Sequence, residues 1–262
     1  MPPDLMFLIG IAIKMAVTAL FVSVATIIAE KLGPAVGGLV ATLPVSAGPV
    51  YVFLALDHDA AFISASALMS LALNATTAIY LTVYVLLAPR HGIWLSVPLA
   101  FAAWLVTALV FWPVHWAPWS ALVLNLVVFA LCFCIVGRYR HVRMPPTRRP
   151  WYDFIARAGT VALLVGAVVT LSFRIGPAGS GVLAVFPIIY TSIMVILHYR
   201  VGGPVTAAVL ANAIPGLAGF GAALLTLHMT AVPLGSAGAL LLALSVSVAW
   251  NIVLYMLQRS VG

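Results

Sequence analysis

Lys14 and Arg157 each interrupt a long apolar run, and they stand 143 residues apart. A cation held in hydrocarbon costs about 2.5 kcal/mol or considerably more, so such a side chain normally faces a polar interior. The other option is to reach the surface along its own stem. No Asp or Glu lies deep in any apolar run, so both cations are expected to lack a fixed counterion, which an incoming anion would supply. Neutral polar groups suited to carboxylate or hydroxyl recognition accompany them: the amides Asn74, Asn125, Asn212 and Asn251, and the hydroxyls Ser46, Tyr190, Thr191 and Ser192. An amide offers two donors and an acceptor, although the same group also joins helices to one another inside a membrane. Ser66, Ser70, Asn74 and Thr77 recur at helical spacing and put a polar stripe on one face of their helix.

The elements that hold these residues repeat. GPAVGGLVATLP, from Gly33 to Pro44, returns as GPAGSGVLAVFP, from Gly176 to Pro187, with six of twelve positions identical and no gap. At the same spacing Lys31 matches Arg174, and Lys14 matches Arg157. Further on, LNA at 73–75 resembles ANA at 211–213, and NLVVF at 125–129 resembles NIVLY at 251–255. Self-similarity of this length is an architectural signal. Pro44 and Pro187 each fall about ten residues into an apolar run, where a proline removes a helical hydrogen bond and frees a carbonyl that lipid cannot satisfy. Both are expected to interrupt their helices near mid-membrane; Pro49, and Pro215 with Gly216, are further candidate breaks.

Composition sets the class. Of 262 residues, 65% are hydrophobic and 6% charged, against about 45–50% and about 25% for an ordinary soluble chain. The reading is an all-α polytopic membrane protein, since barrel strands would alternate in polarity over about ten residues. Nine spans are expected, at 5–29, 35–56, 60–88, 93–112, 118–137, 153–173, 178–198, 204–227 and 232–257. The basic connection RYRHVRMPPTRRP belongs in the cytoplasm, which puts the N-terminus outside and the C-terminus inside a bacterial inner membrane. Residues 1–137 then form a first repeat of five spans, 138–152 a basic cytoplasmic loop, and 153–262 a second repeat of four spans. An odd number of spans in the first repeat inverts the second.

Inverted repeats with Gly and Pro interrupting matching helices point to secondary transporters. The expected function is a small transporter moving a small anionic solute by alternating access. Its site residues would be Lys14, Arg157, Pro44, Ser46, Asn74, Asn125, Pro187, Tyr190, Thr191, Ser192, Asn212 and Asn251. A lipid or lipid-phosphate flippase is one alternative, and an assembly or accessory membrane protein with no path of its own is another. No nucleophile, acid–base pair or nucleotide loop is legible, so no enzyme is expected, nor any cofactor, metal site or nucleic-acid partner. The partners are the bilayer, the solute and a second copy in a possible homo-oligomer. Cys132 and Cys134 lie in one run and face different sides of a helix, which suits neither a disulfide nor a metal.

Overall fold

Every backbone N–H inside a bilayer must find its partner within the chain, and a helix supplies that partner locally. The computed structural model describes residues 3–31, 46–142 and 151–261. The first Gly-Pro motif with Pro44, and Arg143, Arg148 and Arg149 of the basic connection, lie outside the described residues. The described chain is helical, without strands: α1 (Pro3–Lys31), α2 (Ala47–Asp57), α3 (Ala60–Leu87), α4 (Ile93–Phe111), α5 (Pro118–Val136), α6 (Trp151–Ala184), α7 (Ile188–Val201) and α8 (Gly203–Val261). Six stretches are long and apolar enough to cross a membrane, including Ile155–Val201 and Gly203–Leu257. Those two hold 47 and 55 residues, more than twice the ~20 that one crossing needs.

Local chemistry sets the ends and the breaks. Asp59 caps α3 by accepting the N–H of Phe62 at 2.8 Å, and Pro118 occupies the first turn of α5, where a missing N–H costs nothing. Within α6 the helical course breaks at Gly176 (φ 67°, ψ −171°), a backbone shape that glycine adopts without a Cβ penalty. Pro177 then starts a short second segment. Within α8 the corresponding break is at Gly235 (φ 73°, ψ 159°), while Pro215 leaves the helix continuous. Pro49 sits in the first turn of α2 and breaks nothing either.

α3 is the axis of the bundle. Its apolar window is 78% buried, against 11% for α1, and it packs on α4, α5, α6 and α8. α3 and α8 run antiparallel. Ser64 meets His228 near one end, Asn74 meets the carbonyl of Leu217 at the middle, and Ala88 lies against Gly203 at the other end. The last contact needs glycine, because a Cβ at 203 would collide with the Ala88 carbonyl oxygen. α1 lies on the outside of this core and packs against α6.

Candidate functional site

The chain is not helical between Ala184 and Ile188, and the cause is Pro187. With no N–H there, the carbonyl of Leu183 has no partner four residues on. It accepts instead from Phe186 N at 3.1 Å, and Ile188 N turns back to Phe186 O at 2.7 Å. Eight helical residues precede the break and the 14 of α7 follow it, rises of about 12 and 21 Å. The two segments together are about as long as a hydrocarbon core of about 30 Å is thick, with the break in their interior. α7 starts at Pro187 with no side-chain cap, so its first-turn N–H groups and positive dipole end face the break.

Two hydroxyl relays from α3 hold the broken segments. The Ser70 hydroxyl donates to Gly181 O at 2.7 Å; having one proton, it must accept from Tyr51, whose OH lies 2.6 Å away. Thr191 likewise donates to Pro187 O at 2.7 Å and accepts from Tyr80 OH at 2.7 Å. Gly181 is required at the first relay, because a Cβ there would run into the Ser66 carbonyl. Phe186 packs edge-on to Trp104 and Phe101, at centroid distances of 5.2 and 5.8 Å. Close by, Ser66 Oγ, Thr77 Oγ1 and Trp104 Nε1 are buried without a hydrogen-bond partner. Ser192 donates to Ile189 O at 2.7 Å, and Tyr190 is half-buried beside it.

The asparagines do not converge there. Asn74 Nδ2 donates to Asn125 Oδ1 at 3.1 Å and to Leu217 O at 2.9 Å, while Asn125 Nδ2 donates to Leu71 O at 2.7 Å. Together they tie α3, α5 and α8 at one level. Asn212 bonds Ala208 O and Arg140 O, towards the opposite end of the bundle from Asp57. Asn251 is buried in the second part of α8 with its Oδ1 unpartnered. Ser46 precedes α2 and makes no side-chain cap bond.

The expected lack of a counterion is overturned at Lys14. Its ammonium contacts both Asp57 carboxylate oxygens, at 2.6 and 2.5 Å. Asp57 is the last residue of α2, and the two helices bring it beside Lys14 of α1. Next to this pair His58 stacks on Phe62 at 3.8 Å and reaches Ser172 Oγ at 2.8 Å. Ser172 spends its proton on Val169 O, so His58 Nε2 is the donor. Burial holds the His58 pKa below its ordinary 6.5, partly offset by the neighbouring Asp57 and Asp59 charges. Arg157 is half-buried on α6.

Of the expected residues, Pro187, Tyr190, Thr191 and Ser192 share the break, while Lys14, Asn74 with Asn125, and Asn212 occupy three other places. Asp57, Tyr51 and Tyr80 escape a sequence reading; the only hint is the glycine at 181, which marks a close helix approach. Comparison of the chain with protein-family models, curated proteins and solved structures finds no match.

Proposed function

We propose that this protein is a small secondary transporter that carries a small anionic solute across a bacterial inner membrane by alternating access, using the break between α6 and α7. The observation that carries this reading is the interruption at 185–187, where the positive dipole end of α7 suits an anion and whose position suits a site alternately open to either side. Lys14, committed to Asp57, is withdrawn from the proposed solute site.

Two inverted copies are part of the same proposal. The spacing of 143 that links the Gly-Pro motifs recurs in the helix starts, Ala60 of α3 and Gly203 of α8, and in Gly92 before α4 and the Gly235 break. Asn74 and Leu217, also 143 apart, bond where α3 and α8 cross antiparallel. This is the arrangement expected if a two-fold axis in the membrane plane passes between them. On this register α5 has no counterpart. It is the odd span that inverts the second copy, and the matching parts are α1–α4 and α6–α8 within the expected division into five and four spans. Splitting the two long stretches at Gly176 and Gly235 turns the six into eight; the ninth expected span, 35–56, lies partly outside the described residues.

The test is accessibility. In a background with Cys132 and Cys134 replaced by serine, Ser192→Cys is labelled with a membrane-impermeant maleimide in right-side-out and in inverted vesicles. Labelling from both faces is the expected result. Labelling from one face only, or from neither, refutes alternating access at this break.

A further inference from the structure

A cavity of about 350 Å³ lies between α1, α2 and both parts of α8, with Val17, Gly48, Val52, Ala223, Leu227 and Leu244 among its walls. None of the expected site residues lines it. Its two hydroxyl-bearing residues bond elsewhere: Thr18 donates to Lys14 O at 2.8 Å, and Tyr51 to Ser70. The lining is therefore apolar, and water has no partners in it. Val17, Val52 and Leu244 are about half exposed, so the walls reach the lateral surface of the bundle, where the surrounding medium is lipid. At roughly 30 Å³ a group, the share of a water molecule and close to that of a methylene, the space takes on the order of a dozen methylenes. That is room for an aliphatic chain.

An ion pair stands one helical turn beyond one end of the cavity. Lys14 stands one helical turn before Thr18 on the same face of α1, and Asp57 one turn beyond Phe53 on α2. These two residues form the bidentate ion pair, so both walls end in opposite charges at the same level. On the repeat register proposed above, the positions matching Ala223, Leu227, Leu244 and Ser247 are Tyr80, Tyr84, Phe101 and Trp104. The corresponding corner of the other copy is thus filled by aromatic rings, and this one is left open by smaller side chains.

We propose that this cavity binds a single-chain zwitterionic amphiphile of the lysophospholipid class, with its chain between α1, α2 and α8, its phosphate on Lys14 and its ammonium on Asp57. A head carrying both charges matches a pair carrying both. A purely anionic head would meet Asp57 and Asp59, and a purely cationic one would meet Lys14. This site is separate from the helix break; only the comparison with the other copy rests on the repeat register proposed above, and the cavity and the ion pair do not.

The experiment uses the full chain in dodecyl maltoside and a twelve-carbon lysophosphocholine as probe, read by native mass spectrometry and thermal shift. The parent protein is expected to hold one molecule and to melt higher on its addition, with twelve-carbon anionic and cationic analogues binding at least tenfold more weakly. Ala223→Phe fills the cavity and is expected to weaken binding at least tenfold; Leu244→Phe, at the lipid-facing rim, does the same if the first variant fails to fold. The double variant Lys14→Met with Asp57→Leu removes both charges together and should abolish the preference for the zwitterion. Equal binding by the parent and the filled variants, several molecules bound without saturation, or an unchanged head-group preference in the double variant each overturn the proposal.

Discussion

Replacing Asp57 by leucine should destabilise the protein by more than replacing both members of its ion pair. At 2.5 Å and an effective dielectric of about 20, the Coulomb attraction is about 7 kcal/mol. Desolvation of the two ions cancels much of it. Breaking a fully buried pair costs about 3–5 kcal/mol and an exposed one about 0.2–1 kcal/mol. Lys14 and Asp57 side chains are 20% and 19% exposed, which puts Asp57→Leu nearer the buried limit, at a loss of about 2–3 kcal/mol. Most of that loss is the cost of leaving the Lys14 ammonium unpaired against apolar neighbours. Adding Lys14→Met removes the stranded charge, so the double variant should recover about half the loss or more. The assay is a double-mutant cycle on unfolding free energy in mixed micelles, with an expected coupling of about 1.5–3 kcal/mol. Single-variant losses that simply add would refute the argument, because they would mean that the two charges do not depend on each other for their solvation.

Four further outcomes follow from the same geometry. Ser70→Ala leaves the Gly181 carbonyl and the Tyr51 hydroxyl unsatisfied between α2, α3 and α6, and should cost about 1–3 kcal/mol in the same unfolding assay. Gly181→Ala drives a methyl into the Ser66 carbonyl, a clash of backbone with backbone that no rotamer relieves; it should cost at least about 1–3 kcal/mol. Asn74→Leu removes the bonds to Asn125 and Leu217 and should cost about 0.6–1.7 kcal/mol, the range of interhelical hydrogen bonds in a membrane. For His58 the folded pKa lies below the unfolded 6.5, so between the two values the unfolded chain binds more protons. Its contribution is therefore flat above pH 6.5 and falls as the pH drops below it. His58→Gln should remove that part of the acid-side slope, and an unchanged slope from pH 7 to 5 would count against the burial argument.

Particular residues show how far sequence reasoning reaches in a chain of this kind. Apolar runs of about 20 residues are an unambiguous signal, since lipid allows few other ways to satisfy the backbone, and the described helices follow them. Pro187 was legible as a break because a missing N–H near mid-span is a local fact. Pro215 carries the same local fact and breaks nothing. The carbonyl it leaves without a helical partner is that of Ala211, and whether the helix breaks there or runs on is decided by packing that no window on the sequence contains. Lys14 shows the same limit: its depth could be read from the run it interrupts, but its partner depends on how α1 and α2 lie against each other. The amides were recognisable as polar groups in apolar surroundings. Whether they serve a solute or one another depends on helix register, and the shared level of Asn74 and Asn125 is set by how α3 and α5 pack. What is legible in such a sequence is each position's depth and local backbone fate. What escapes it is pairing, because pairing is a property of two helices, and in a chain with 6% charged residues each such pairing decides whether a polar group remains available to a ligand.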